Sequence, residues 1–449
     1  MACHSASRPL SPKTAVLVDM WHLGLEVSKS KFSASLFDMV EIITMNHLSG
    51  LGYFMCCRLE TKETPDQERK DGEQVERALK DLRCIEVVSA ETYAAALYAV
   101  KQKLDENGVE KFTVLLSWER KSLVRKYMEQ VFTRFYRYEL IELPTSSKEK
   151  LLKKSWESRS KAGPHVDPEV ERIQKEISQF LESLPSLKGD LMILKSSLIS
   201  EHIFLHGFTT RTGGISYVPT LSSLNLFSSS KRQDPPAVVK ENLRRLAHAA
   251  GFNPEMYHSI KVNHASDVWV MGRSQPESYD GIVTNQRGIT VAAPGADCIP
   301  LLFADPVKKV CGAAHSGWQG TLLGVSMAVV HAMVTEYSCN VKDILVVLGP
   351  SVGPCCFTLP KESAKEFYKI DPTCVRCFES PNPYVDIRRA TRVLLEAGGV
   401  LPRNIQDDSV TDPERNLTLC TSCHPNKFYS HVRDGENFGT QIGFISIKN

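Results

Sequence analysis

The feature that most constrains this chain is the apolar run PGADCIPLLFADPVKKVCGAAHSGWQG, from Pro294 to Gly320. IPLLFAD and KVCGAAH lie on either side of Pro306-Val307, the pattern of a β-hairpin set into a core. Such a hairpin is an odd place for Cys298 and His315, yet they stand near its two ends. A turn centred on Pro306-Val307 sets Cys298 directly opposite His315, and side chains paired in that way have Cβ atoms about 4.5–5.5 Å apart. A slip of one residue would send the two to opposite faces. The register therefore decides whether this segment carries a site.

A thiolate and an imidazole at that spacing suit a zinc site or a Cys–His nucleophile pair. The plainer alternative is a buried cysteine packing as a small hydrophobe. Pro294 and Gly295 bend the chain before Cys298, and Asp297 stands beside it. Gly317 and Gly320 bracket Trp318, so the second strand ends in a Gly-rich turn that opens a helix. Free N–H groups there suit an anion. His264, in the strand-like segment KVNHASDVW, is the candidate third ligand. A His/Cys/His set with an open fourth position is the pattern of a catalytic zinc. A hydrogen-bonded core histidine is the alternative for His264.

With 449 residues the chain is long enough for more than one domain. Hydrophobic residues make up 42% and charged residues 24%, enough to build real cores. A net charge of +2 gives no case for nucleic-acid binding. No run of about twenty apolar residues is present, so no membrane span is expected. The opening stretch MACHSASRPLSPKTAVLVDMW has no signal-peptide pattern. Thirteen cysteines then read as reduced thiols of a cytoplasmic protein, with intracellular organelles or the nucleus as further places.

Residues 1–145 alternate strand-like runs (AVLVDMW, GYFMCCRLE, CIEVVSA, FTVLLSWE) with helix-like ones (35–48 and 91–104). That predicts a smaller N-terminal α/β domain with a largely parallel sheet. It holds no phosphate-binding glycine motif, which favours docking a protein partner over a second active site. Residues 146–166 read as a flexible basic linker. Asp167-Pro168-Glu169 starts a helix by capping, ring geometry and first-turn charge, with Val170, Ile173, Ile177, Phe180, Leu181 and Leu184 on its apolar face. Residues 167–190 are expected to bridge the halves. Residues 191–449 read as a second α/β domain, the catalytic one.

The motifs HGFTTRTGGISYVPTLSSLNL, KVNHASDV, YDGIVTN, GADCIPLLFADP, AAHSGWQGT, GPSVGPCCF and SHVRDGENFGTQIGFI occur in order from about residue 195 to the end. Together they resemble the family long called multicopper polyphenol oxidases or laccase-domain proteins, now viewed as purine nucleoside phosphorylases. The resemblance implies a mixed-sheet α/β laccase-domain fold and a zinc site with His264, Cys298 and His315 as ligands. It implies phosphorolysis of inosine, guanosine, adenosine and S-methyl-5'-thioadenosine, with adenosine deamination besides. Purine nucleosides and phosphate are then the partners. Arg211 matches the family's TxRxGGxS arginine near the substrate, and Arg433 its basic residue before Asp434. Three departures stand out: Val262 replaces a Gln, Gln319 replaces a Lys or Arg after the Trp, and SSSKRQD replaces a Gly-Asp-Asp.

For this chemistry, Arg211 with the N–H groups of Gly213 and Gly214 is expected to hold phosphate. Asp297 or Asp280 is expected to shuttle protons near the nucleoside; a turn role is the alternative for either. A metal-free Cys298–His315 thiol enzyme acting on amides is a rival reading. So is a binding scaffold with vestigial catalysis. A true laccase needs many histidines for its copper centres, and none of the thirteen here forms a His-x-His pair, so copper is expected only as an adventitious occupant. CTSCH at 420–424 matches a haem-attachment pattern that a cytoplasmic chain would not use. Cys374/Cys377 and Cys420/Cys423 are too far apart for a usual zinc ribbon and read as buried thiols, and Cys355-Cys356 reads as packing.

Overall fold

β-Branched and aliphatic segments separated by helix-forming ones build a parallel sheet at the N-terminal end, as the alternation predicts. The computed structural model describes residues 13–19, 52–58, 85–142, 168–407 and 419–449. The expected helix at 35–48 and the expected linker at 146–166 lie outside the described residues. The chain divides into two units: Met1–Leu184 with Ser229–Ala237, and Pro185–Ser228 with Val238–Asn449.

In the first unit, β1 (Lys13–Asp19), β2 (Gly52–Arg58), β3 (Ile85–Ala90), β4 (Val109–Leu116) and β5 (Arg137–Glu142) form a sheet in the order β3-β2-β1-β4-β5. Every pairing in it is parallel. The helix Tyr93–Glu106 begins at Thr92, whose hydroxyl accepts from the Ala95 amide. That bond satisfies one of the donors left open at a helix start. The helix expected to bridge the halves spans Pro168–Ser183 and packs within this first unit. Ile173, Ile177 and Leu181, one turn apart, are buried. Its Glu176 accepts from the Ala94 amide (3.0 Å) and the Tyr127 hydroxyl (2.7 Å).

The second unit contains two mixed sheets, besides a two-stranded ribbon of β15 (Val375–Arg376) and β16 (Tyr384–Val385). β6 (Ile193–Leu194), β7 (Phe204–Thr209), β8 (Tyr257–Ser259), β11 (Thr290–Gly295) and β18 (Gln441–Ile447) form one, in the order β6-β7-β18-β11-β8. β9 (Val268–Val270), β10 (Gly281–Thr284), β12 (Ile299–Asp305), β13 (Val310–Ser316), β14 (Leu345–Leu348) and β17 (Ile405–Gln406) form the other, in the order β17-β14-β12-β13-β10-β9. Phe208, Val291 and Ile445 of the first sheet share a core with Leu302, Ala313 and Val347 of the second. The outer face of the six-stranded sheet, with Leu301 and Phe303, packs on helix Val325–Tyr337. The outer face of the five-stranded sheet, with Ala292 and Phe444, packs on Leu246 of helix Pro236–Ala250. The order is helix, sheet, sheet, helix. β12 is covered on both faces, which explains why IPLLFAD is apolar without alternation.

The hairpin forms, but its register differs from the expected one. His315 pairs with Pro300, two residues beyond Cys298. The turn has four residues, 306–309, not two. The Asp305 carboxylate accepts from the amides of Val307 (2.8 Å) and Lys308 (2.9 Å), and Lys309 turns with a positive φ of 54°. An Asx-type turn of this kind is a local choice of the aspartate side chain. Because the shift is by two, every side chain keeps its face. Cys298 is therefore on the correct side of His315, diagonal to it and just ahead of the strand.

Phe303 is fully buried between β12 and the helical layer. Phe303→Ala is expected to destabilise this unit by roughly 3–5 kcal/mol, read as a lowered denaturant midpoint.

Candidate metal centre

Three segments deliver the centre. β11 leaves the five-stranded sheet at Gly295, and β12 enters the six-stranded sheet at Ile299. Cys298 is the last residue of this crossing. Before it, Asp297 adopts a positive φ of 92°, an unfavourable state for a residue with a side chain. It is held there from three sides. Its carboxylate accepts from the Thr421 hydroxyl (2.6 Å) and the Val432 amide (2.6 Å). Its carbonyl accepts from the Val352 amide at 3.0 Å.

His315 comes from the end of β13 and is buried. Its Nδ1–H donates to the fully buried Asp280 carboxylate at 2.8 Å, and its backbone amide donates to the Asp280 carbonyl at 2.8 Å. That fixes the tautomer and turns Nε2 toward the centre. The other Asp280 oxygen accepts from the amides of Asn263 (3.1 Å) and Ala265 (2.9 Å). These two flank His264, so one carboxylate orients both histidines. The segment around His264, expected as a strand, is a turn. His264 has a positive φ of 62°, and the Asn263 side chain accepts from the Ala265 amide.

The ligand atoms of His264, Cys298 and His315 all lie within 4.8 Å of one another. The two imidazole rings meet edge-on with centroids 5.0 Å apart. Space for this convergence comes from Gly317. A Cβ there would sit 2.9 Å from the Cys298 sulfur and 3.4 Å from a His264 ring carbon.

Burial alone would raise the Cys298 thiol. The His315 charge and hydrogen bonds from His264 and His315 outweigh it, and the thiol is lowered to about 6. Burial alone would lower His315. The Cys298 thiolate and the Asp280 carboxylate outweigh it, and the imidazole is raised to about 9. Burial would likewise raise the Asp280 carboxyl, but His315 and the two amides hold it below its ordinary range. Each charge of the pair thus favours the other, thiolate beside imidazolium. The thiolate is the form that binds metal or attacks carbon.

The remaining expected site residues have other work. Arg211 is buried, and its three nitrogens donate to the carbonyls of Ser222 (2.7 Å), Pro425 (2.6 Å) and Pro219 (2.7 Å). Its guanidinium lies 4.8 Å from the Tyr429 ring centroid. It braces loops and does not present a fork to phosphate. The Gly213 amide donates to the Leu187 carbonyl and the Gly214 amide to the Ser223 hydroxyl, so these donors are spent internally. Both glycines are forced by crowding: a Cβ on Gly214 would lie 2.1 Å from the Ser223 carbonyl oxygen. Arg433 chelates Asp434 (2.8 and 2.7 Å) and donates to the Thr421 and Phe428 carbonyls. Neither Asp297 nor Asp280 is placed to shuttle protons freely, since both carboxylates are engaged as described. Asp280 is the residue whose role the sequence concealed, because its orienting bonds run to His315 and to a turn.

Residues 205–448 match the family model described as multi-copper polyphenol oxidoreductase laccase. The chain is similar to human purine nucleoside phosphorylase LACC1, 53% identical over 97% of this chain and 99% of the relative. It is also similar to adenosine deaminase RL5 of an unknown prokaryotic organism, 30% identical over 36% of this chain and 60% of that protein. Among solved structures, YlmD from Geobacillus stearothermophilus superposes with a TM-score of 0.50 at 28% identity, covering 57% of this chain and 94% of YlmD.

In chelator-treated protein, alkylation of Cys298 by iodoacetamide should persist at neutral pH and fall away as pH drops through about 6. His264→Ala should move that midpoint upward. Peptide mass spectrometry across a pH series reads both, and an ordinary thiol midpoint in the wild type would contradict the assigned electrostatics.

Proposed function

The chain belongs to the multi-copper polyphenol oxidoreductase laccase family, and from that premise we propose that it is a purine nucleoside enzyme. Its reactions are phosphorolysis of inosine, guanosine, adenosine and S-methyl-5'-thioadenosine, and deamination of adenosine to inosine. The names of relatives support this reading: purine nucleoside phosphorylase for human LACC1 and adenosine deaminase for RL5. The observation that carries it is the convergence of His264, Cys298 and His315, two of them oriented by Asp280.

That donor set fits zinc. Two imidazoles and one thiolate leave a coordination position open, as catalytic zinc sites do. Copper also accepts these donors and is read here as adventitious. When bound, zinc supplies Lewis acidity toward an oxygen brought to that open position. The chain's own residues do the rest. Asp280 holds a proton on His315 Nδ1 and keeps Nε2 available. Gly317 keeps the space beside the thiolate clear. The backbone crossing at Asp297 fixes where the Cys298 sulfur stands. Because Arg211, Arg433, Gly213 and Gly214 are engaged internally, phosphate must be met by other donors. Gln319, exposed in the first turn of helix Trp318–Leu322, occupies the position where the family carries a cation. The N-terminal unit is read as a docking module for a protein partner, and the whole as a cytoplasmic protein with reduced thiols.

The lowered Cys298 thiol favours one further reading, a metal-free thiol enzyme acting on amides. Elemental analysis separates the two. One equivalent of zinc that is lost in Cys298→Ala supports the metal; full activity in chelator with no zinc bound sinks it.

The direct test incubates the full chain with each nucleoside, with and without phosphate. Ribose 1-phosphate marks phosphorolysis, and inosine from adenosine marks deamination. Cys298→Ser and His264→Ala are expected to abolish both; turnover that survives them unchanged would place the site elsewhere. Asp280→Asn is expected to weaken metal affinity by about 10–100-fold, measured by competition with a chromogenic chelator. Gln319→Lys is expected to lower the phosphate KM without changing phosphate-free deamination.

A further inference from the structure

Four cysteines read as packing residues in the sequence come together in the second unit. Cys355 and Cys356 lie just after β14, and Cys420 and Cys423 lie in the segment that leads back toward β18. Their sulfurs all fall within 4.8 Å of one another. The Cys423 sulfur is 3.3 Å from that of Cys356 and 3.6 Å from that of Cys355. The CxxC at 420–423 therefore has a partner, but it is the adjacent pair 355–356 and not Cys374/Cys377.

We propose that Cys355, Cys356, Cys420 and Cys423 form a second metal centre, a closed tetrathiolate site for a soft d10 divalent ion such as zinc. Metal–sulfur bonds of about 2.3 Å in a tetrahedron set sulfurs about 3.8 Å apart; the Cys356–Cys423 and Cys355–Cys423 separations of 3.3 and 3.6 Å fall somewhat below that distance, and all four sulfurs lie within 4.8 Å. A disulfide would use two of the sulfurs and leave two more crowded against it; four converging thiols match four ligands.

The surroundings match a metal–thiolate site as well. A Cβ built on Gly353 would lie 2.7 Å from an Arg388 nitrogen, 3.2 Å from the Cys355 sulfur and 3.2 Å from Cys420 Cβ. That glycine lets both the cation and the sulfurs close in, and Arg388 lies where it offsets the charge of a tetrathiolate. Both strands of the cluster are already in register, through a bridge between Ser351 and Cys420 and the Thr421 amide donating to the Ser351 carbonyl.

The centre has a structural task. Thr421, between the paired cysteines, bonds the Asp297 carboxylate, and Val352 bonds its carbonyl. A metal joining 353–356 to 420–423 fastens together the two segments that hold Asp297 in its left-handed conformation, and so seats Cys298.

The test is elemental analysis of the full chain expressed with zinc. Wild type is expected to hold two zinc ions, Cys298→Ala one, and Cys420→Ser/Cys423→Ser one. Should the His264–Cys298–His315 reading fail while this one holds, wild type and Cys298→Ala both hold one and Cys420→Ser/Cys423→Ser holds none. The proposal is overturned if Cys298→Ala holds no zinc, or if Cys420→Ser/Cys423→Ser keeps the wild-type content. Should that double variant not fold, cobalt loading of Cys298→Ala decides: strong visible absorption of a tetrahedral cobalt tetrathiolate supports the centre, and its absence overturns it. A Cys356–Cys423 disulfide in freshly purified, unreduced protein also overturns it.

Discussion

One buried carboxylate organises the centre. Asp280 bonds the His315 ring through one oxygen and the amides on either side of His264 through the other, while its carbonyl takes the His315 amide. An unpaired charge at full burial would be costly. Here every contact that relieves the cost also aims a ligand, so orientation and charge compensation are the same set of bonds. The Cys298 thiolate is the main cause of the raised His315, the Asp280 anion adds to it, and the His315 charge in turn lowers Cys298.

The layered fold makes such a carboxylate affordable to bury. Two sheets covered on their outer faces by helices leave the strand ends as the places where polar groups meet. Asp280 precedes β10, His315 is the penultimate residue of β13, and Cys298 precedes β12. These three neighbouring strands share one sheet and carry their polar residues at one edge of the core. The arginines that brace adjacent loops serve the same arrangement. Arg211 ties three carbonyls together and Arg433 ties the 421–428 segment to Asp434, which keeps the Thr421 and Val432 contacts to Asp297 in place.

Much of this was legible in the residues. Apolar runs separated by turn signals predicted the strands, and the parity of the hairpin predicted that Cys298 and His315 share a face. The register itself was hidden in Asp305, whose side chain lengthens the turn to four residues by capping two amides. The use of Arg211 and Arg433 was hidden for another reason. A guanidinium in a glycine-rich motif reads as an anion binder, and nothing local says that carbonyls more than 200 residues away will fill it, as Pro425 fills Arg211. The thiol cluster is hidden in the same way: its halves lie 64 to 68 residues apart, and the CxxC at 374–377 stands nearer in sequence to the one at 420–423.

The first unit is not continuous in sequence. It recovers Ser229–Ala237 after the chain has already begun the second unit. Within it, the Arg232 carbonyl accepts from the Thr133 hydroxyl (2.6 Å), and the Gln233 amide donates to Asp105 (2.7 Å). Asp105 is also the acceptor for Tyr136 and buried Lys101. A gene fragment ending before residue 191 would therefore encode a first unit with part of its polar interior missing. The two units are interleaved in the message as well as joined in the chain, and neither behaves as a cassette that could be exchanged whole.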